Sequence, residues 1–242
     1  MKEKKSHIEG TLETVKFKER KEQYYENLVK IIGLDYPITD FLSHFPAFIG
    51  RQTLLRNLTL YELYKKTLGI GGHIAEVGVY KGAGSILFGK LIHLYEPESL
   101  TMVHGFDHFR GTDTDTDSEL QVSGGNLSDE SKLGELIRLQ ELHGTVKIHN
   151  LDARTDFPAF FEKYPHLRFK MVFLDSGTYS VTSASIKALW PRLNVGGIMV
   201  FDQYNNEVAP GETRAVQELL PDEKIQTIQP SWMPCSYICK GE

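Results

Sequence analysis

Five acidic residues stand where an apolar run gives way to a polar one: Glu76 in HIAEVGV, Asp107 in VHGFD, Asp152 in HNLDAR, Asp175 in VFLDSG and Asp202 in VFDQY. Carboxylates so placed can accept hydrogen bonds from ligand hydroxyls, pair with an ammonium, or take a proton from a reacting oxygen. Glu76 leads directly into EVGVYKGAGS, with glycines at 78, 82 and 84. The dinucleotide fingerprint G-x-G-x-x-G fails against that order, and so does the P-loop, because Lys81 precedes Gly82. What remains, E-x-G-x-x-x-G-x-G, puts an acid where a pyrophosphate would be repelled and where an ammonium would be held, directly or through water. S-adenosylmethionine offers such an ammonium and carries no phosphate. Its ribose hydroxyls want a second carboxylate, which GFDHF supplies as Asp107, and its adenine amino group a third polar partner, Asp152 in NLDAR. The expected donor-binding set is therefore Glu76, Gly78, Tyr80, Gly82 and Ser85 from the glycine turn, Asp107 and His108 after the second strand, and Asp152 with Ala153 after the third. A nicotinamide site and a glycine turn used only for packing are the competing readings of the glycines alone.

These side chains need a frame that brings strand ends to one edge. HIAEVGV, LTMVHGFD, TVKIHNLD, FKMVFLD and GGIMVFDQY read as strands, and AGSILFGKLIHLYEP, TSASIKALWPRL and GETRAVQELL as helices between them. Alternation of this kind predicts an α/β, doubly wound, largely parallel sheet whose ligands lie beyond the carboxyl ends of the strands. IQTIQP and CSYICK would close it as a hairpin. Upstream, RQTLLRNLTLYELYKKT sets Leu54, Leu55, Leu58, Tyr61 and Leu63 or Tyr64 at helical spacing, a helix expected beside the sheet. Residues 1–49 read as a charged arm and helical appendage containing EQYYENLVKIIGL, and 50–242 as the ligand-binding domain. Phe41, Phe45 and Phe48 suit either a homodimer contact or a core.

Composition narrows the classes. At 242 residues and 40% hydrophobic content a sizeable core can be buried, and a formal net charge of -5 gives no nucleic-acid footprint. The mixed-charge start lacks a signal-peptide core, and no apolar run reaches the roughly 18 residues that span a bilayer, so a cytoplasmic protein without membrane contact is expected. Cys235 and Cys239, the two cysteines, read as reduced packing residues on one strand face, with a two-Cys metal site or a redox pair as the alternatives. GTDTDTDSEL fails as an EF-hand because the sixth position is Ser118 and the twelfth Gly124, which leaves the 111–129 segment as a solvated lid candidate.

IAEVGVYKGAGS, GFDHFRG, VFLDSGTYSVTSASIKALWPRLNVGGIMVFDQYN and PGETRAV together resemble the macrocin and mycinamicin type sugar O-methyltransferases, a branch of the class I S-adenosylmethionine-dependent enzymes, over roughly Phe45 to Leu220. The resemblance implies a seven-stranded Rossmann-like methyltransferase sheet, a small hydroxylated acceptor and commonly a divalent cation. It also implies an aspartate at Asp175 and two acids at positions 202 and 203, yet this chain has Gln203, and LDSGTY lacks the usual second aspartate after the fourth strand.

Methyl transfer to an alcohol requires a base or a cation that stabilises the alkoxide. Asp175 and Asp202 are the expected catalytic residues: either one takes the proton, or both hold Mg²⁺ with Gln203 contributing an amide oxygen. Capping of the following helices is the alternative use of both aspartates. His104, His108 and His149 rank lower. Arg214 either ties down the loop after the fifth strand or grips an anionic acceptor, and Tyr179 and Tyr204 could wall the acceptor pocket. The reading is of an O-methyltransferase acting on a sugar, sugar nucleotide or glycosylated secondary metabolite, with a non-catalytic partner subunit of another biosynthetic enzyme as the alternative.

Overall fold

A computed structural model describes residues 18–112, 125–206, 209–229, 233–234 and 236–241. The N-terminal arm to residue 17, most of the 111–129 segment and Cys235 lie outside the described residues. Three helices come first, α1 (Lys18–Ile32), α2 (Ile38–Ser43) and α3 (Phe45–Phe48), followed by α4 (Arg51–Lys66). The alternating part then runs β1 (His73–Val77), α5 (Ala83–Tyr95), β2 (Val103–Asp107), α6 (Glu130–Leu139), β3 (Val146–Asn150), α7 (Ala153–Lys163), β4 (Phe169–Leu174), α8 (Tyr179–Leu189), β5 (Leu193–Phe201) and α9 (Gly211–Leu219). β6 (Gln226–Thr227) and β7 (Ser236–Cys239) end it as the expected antiparallel hairpin.

The seven strands lie in the order β3-β2-β1-β4-β5-β7-β6. β1 to β5 are parallel, and β7 enters antiparallel beside β5. This is the mixed seven-stranded, Rossmann-like α/β sheet the strand pattern predicts. The chain reverses its direction of winding between β1 and β4, so the crevice at their carboxyl ends is where such a sheet binds ligands. The central strands are apolar on both faces because helices cover both, and β4 is buried along its whole length. One face carries Phe106, Phe157, Phe161, Leu189 and Phe201, the other Leu60, Leu63, Phe88, Met171 and Phe173.

α4 departs from the expected stripe. Leu54 and Leu58 are exposed, and the inward row is Arg56, Thr59, Leu60, Leu63 and Tyr64, at the i, i+3, i+4, i+7, i+8 spacing of one helical face. The leucines at 54, 55 and 58 form a similar row one step round the helix, and packing against the sheet selects the other row. At the far end, Tyr64 donates to Glu96 (2.6 Å), and the ammonium of Lys170, itself fully buried, reaches the same carboxylate at 2.6 Å. α2 and α3 bury no residue, although the Phe41 and Phe48 rings meet at 4.3 Å. No helix among the described residues is long and apolar enough to cross a membrane.

Candidate functional site at the strand ends

The sheet delivers all five carboxylates to one edge. Glu76 lies within β1 and Asp107 ends β2; Asp152 caps α7 after β3, and Asp175 and Asp202 follow β4 and β5. The turn between β1 and α5 closes in the left-handed region at Gly78 (φ 93°), Tyr80 (φ 51°) and Gly82 (φ 82°). Two of its glycines are fixed by close approach as well. A Cβ on Gly78 would sit 2.2 Å from the carbonyl oxygen of Asp175, and one on Gly84 2.0 Å from Glu76 Oε1. The glycine turn thus lies directly on the backbone of the acid at the end of β4.

Asp107 is held by two backbone donors: Tyr80 N–H bonds Oδ2 (2.8 Å) and Phe109 N–H bonds Oδ1 (2.7 Å). Its carboxylate is therefore fixed against the glycine turn before any ligand arrives, with acceptor capacity beyond these two bonds for a ribose diol. Glu76 is 1% exposed and takes the Ser85 hydroxyl. Burial pushes its carboxyl up to about 7, against the opposing pull of Ser85 and Arg56. Glu76 and Ser85 accordingly lie beneath the turn, which makes a water-mediated reach to an ammonium the route open to them. Asp152 accepts Arg154 N–H (3.0 Å) and is gripped by the Arg154 guanidinium at 2.9 and 2.6 Å, with Arg110 at 3.4 Å. His108 Nδ1 accepts from Arg110 N–H. Ala153 is buried and lines one end of a groove of about 840 Å³ between α7 and α8, which continues to Pro165 and Pro191.

The lower-ranked candidates fall into the framework. His104 is the second residue of β2 rather than a strand end, 5% exposed, and stacks on His149 with their ring nitrogens 3.0 Å apart. Burial lowers both imidazoles, to about 3 and about 4, so both are neutral. The Arg214 guanidinium lies 3.6 Å from the Tyr179 ring centroid and pairs with Glu218, which also takes the Tyr179 hydroxyl; Tyr204 packs beside Phe201.

The acid pair holds a residue that sequence reasoning missed. Arg56 reaches from the first turns of α4, over the ring of Phe173, and puts one guanidinium nitrogen on Asp202 Oδ1 and the other on Asp175 Oδ2 (2.7 Å). Its place in the inward row with Leu60 and Leu63 was the available signal, since an arginine on an apolar helix face needs a buried acid. Burial pulls the guanidinium down, but Asp202 and Asp175 outweigh it and raise it above its ordinary value. The Asp202 side chain is 2% exposed, and burial pushes it up to about 8, with Arg56 pulling down and Asp175 pushing up. Asp175 keeps 26% of its side-chain exposure. Behind the pair, Glu212 is fully buried and accepts Gln203 N–H (2.7 Å); burial and then Asp202 push its carboxyl well up.

Magnesium does not fit this donor set. Gln203 Oε1 is buried with no partner among the described residues, but the two carboxylates it would join are already bridged by a guanidinium. A divalent ion about 4 Å from Arg56 would meet roughly 8 kcal/mol of repulsion at an effective dielectric of about 20. Among the described residues no group of three or more His, Cys, Asp or Glu is arranged to hold a metal.

Comparison with known proteins places this geometry. Residues 75–204 match the family described as a methyltransferase domain. No curated protein sequence matches the chain. Among solved structures the chain is similar to CalS11, a calicheamicin methyltransferase (TM-score 0.81, 23% identity, 92% of this chain and 93% of that one). It is likewise similar to the apo form of CalS11, described as a TDP-rhamnose 3'-O-methyltransferase of calicheamicin biosynthesis (TM-score 0.76, 25% identity, 92% and 95%). The O-methyltransferase NovP follows at TM-score 0.64 and 18% identity, over 77% of this chain and 80% of that one.

Proposed function

The chain belongs to the methyltransferase-domain family, and from that premise we propose that it is an S-adenosylmethionine-dependent O-methyltransferase acting on a hydroxyl of a sugar, a sugar nucleotide or a glycosylated secondary metabolite. The observation that carries the reading is the abutment of the glycine turn on the acid pair: Gly78 packs on the Asp175 carbonyl, so a donor cradled by the turn would present its methyl group beside that acid. The description of apo CalS11 as a TDP-rhamnose 3'-O-methyltransferase supports the acceptor class, as does the resemblance to macrocin and mycinamicin type enzymes.

The donor, when bound, supplies an electrophilic methyl group on a sulfonium. The chain's own residues do the rest. Asp107, fixed by the Tyr80 and Phe109 amides, receives the ribose; Glu76, beneath the turn, offers negative charge to the ammonium through water. Asp175, the more exposed of the pair, takes the acceptor's hydroxyl proton as the oxygen–methyl bond forms and the carbon–sulfur bond breaks. Arg56, itself paired with Asp202, holds its carboxylate in place. A partner subunit without catalysis would have no use for a paired, positioned acid. The apolar side chains Val29, Ile32, Leu34, Ile38, Leu42 and Phe45, exposed on the first three helices and the turn after α1, support a second copy of the chain docking there.

The test is calorimetry with S-adenosylhomocysteine, joined to transfer of labelled methyl onto dTDP-sugars. Micromolar binding is expected. Asp175→Asn is expected to bind S-adenosylhomocysteine within about threefold of the parent while turnover falls at least about 100-fold, the lower end of what a positioned base contributes. Failure of S-adenosylhomocysteine to bind sinks the donor assignment, and an active Asp175→Asn removes that residue as the base.

A further inference from the structure

We propose that Arg56 is the resident cation of the acceptor site: it stands between Asp175 and Asp202 where a divalent ion would otherwise bring two carboxylates together, so that methyl transfer by this chain needs no metal. The inference rests on the methyltransferase reading for its activity arm and on geometry for the rest. Two carboxylates at adjacent strand ends repel each other, and one of them is almost wholly removed from water. Such a pair persists only with a positive charge between them or a proton on one. Here the positive charge is a guanidinium whose two nitrogens each take one carboxylate, with its flat face over Phe173.

The surroundings leave the guanidinium as the counter-charge. Behind Asp202, Glu212 accepts the Gln203 N–H, and position 203 supplies an amide rather than a third acid. Glu76, from β1, is the other carboxyl whose field Arg56 feels. Both carboxylates are therefore already engaged by one fixed cation, and a doubly charged ion would have to displace the guanidinium to reach them. Arg56 is a positioning residue in this scheme: it sets the distance and orientation of the two acids, and Asp175 meets the acceptor.

The experiment titrates Mn²⁺ and Mg²⁺ calorimetrically into the parent protein, Arg56→Ala, Arg56→Lys and the double variant Arg56→Ala with Asp175→Asn. Turnover is measured in EDTA and in added Mg²⁺, and S-adenosylhomocysteine affinity in every variant. The parent is expected to turn over equally in EDTA and Mg²⁺ and to bind neither ion through Asp175. Removing the guanidinium should create a cation site: Arg56→Ala binds Mn²⁺ at least about tenfold more tightly than the parent, and the double variant loses that gain. The turnover of Arg56→Ala falls in EDTA and recovers on adding Mg²⁺, a rescue that a purely structural arginine would not give. Arg56→Lys keeps the charge and gains no metal site. Should Arg56→Ala fail to fold by circular dichroism, the parent's response to EDTA and the metal titration of Arg56→Lys decide. Loss of parent turnover in EDTA, Asp175-dependent Mn²⁺ binding by the parent, or a folded Arg56→Ala without metal affinity overturns the proposal. S-adenosylhomocysteine binding is read separately, so a failed donor assignment is not confused with a failed cation assignment.

Discussion

Asp107 shows how much of a binding residue's work is done before the ligand comes. Both oxygens are already engaged by amides, one from the glycine turn and one from its own loop, so the carboxylate is oriented at no further entropic cost when a ribose arrives. Hydrogen bonds to a charged acceptor contribute about 1.5–3 kcal/mol each. Asp107→Ala is therefore expected to weaken S-adenosylhomocysteine binding at least tenfold, about 1.4 kcal/mol, while the protein stays folded. Unchanged affinity by calorimetry would show that the ribose lies elsewhere. At this scale the sequence placed Glu76, Gly78 and Asp107 because each stands at the end of its own apolar run, whatever it meets there. Arg56 was not placed, because its partners are 119 and 146 positions away and its row on α4 says only that it needs a buried acid, not which one.

The same distance problem appears at the scale of the element. α4 was legible as a helix, but which of two adjacent apolar rows faces the sheet depends on what it meets there. Two polar anchors settle its rotation: Arg56 near one end grips the strand ends, and Tyr64 near the other joins Glu96 and the buried Lys170 at the start of β4. Eight residues of helix separate these anchors along an axis of about 12 Å, which ties the acid pair to the far side of the sheet. Glu96→Ala leaves the Lys170 ammonium in the interior without its counter-ion, an arrangement that costs about 3–5 kcal/mol. Since about 1 kcal/mol moves Tm by about 2–4 °C in a domain of this size, a drop of roughly 6 °C or more is expected by calorimetric melting. Combining Glu96→Ala with Lys170→Met should recover much of it, because the stranded charge is gone. A shift below about 2 °C for Glu96→Ala alone would mean that water reaches the ammonium and the anchor holds little.

For the whole molecule, the sheet order follows from a pattern visible in the chain, apolar runs joined by helices that force parallel neighbours, whereas the burial of charge it produces is visible only once the strands are assembled. Closing five acidic strand ends onto one edge and covering them with α4 and α9 places Glu76 and Glu212 in the interior, each with its carboxyl pushed up by burial, the first to about 7. In the unfolded chain these groups titrate near the ordinary carboxylate values, about 4. Between that pH and about 7 the folded protein holds more protons than the unfolded one, so unfolding releases protons and stability falls as pH rises. This slope runs opposite to that of a paired surface carboxylate, which loses stability on acidification. Tm of the ligand-free protein is therefore expected to decline from pH 5.5 to pH 8.5, by roughly 2–4 °C for each about 1 kcal/mol of linkage, and Glu76→Gln should flatten the part of the decline centred near pH 7. S-adenosylhomocysteine brings an ammonium to Glu76 and favours its charged form, so the stabilisation it confers should grow over the same interval. A Tm that is level or rising from pH 5.5 to 8.5 would place these carboxyls in contact with water.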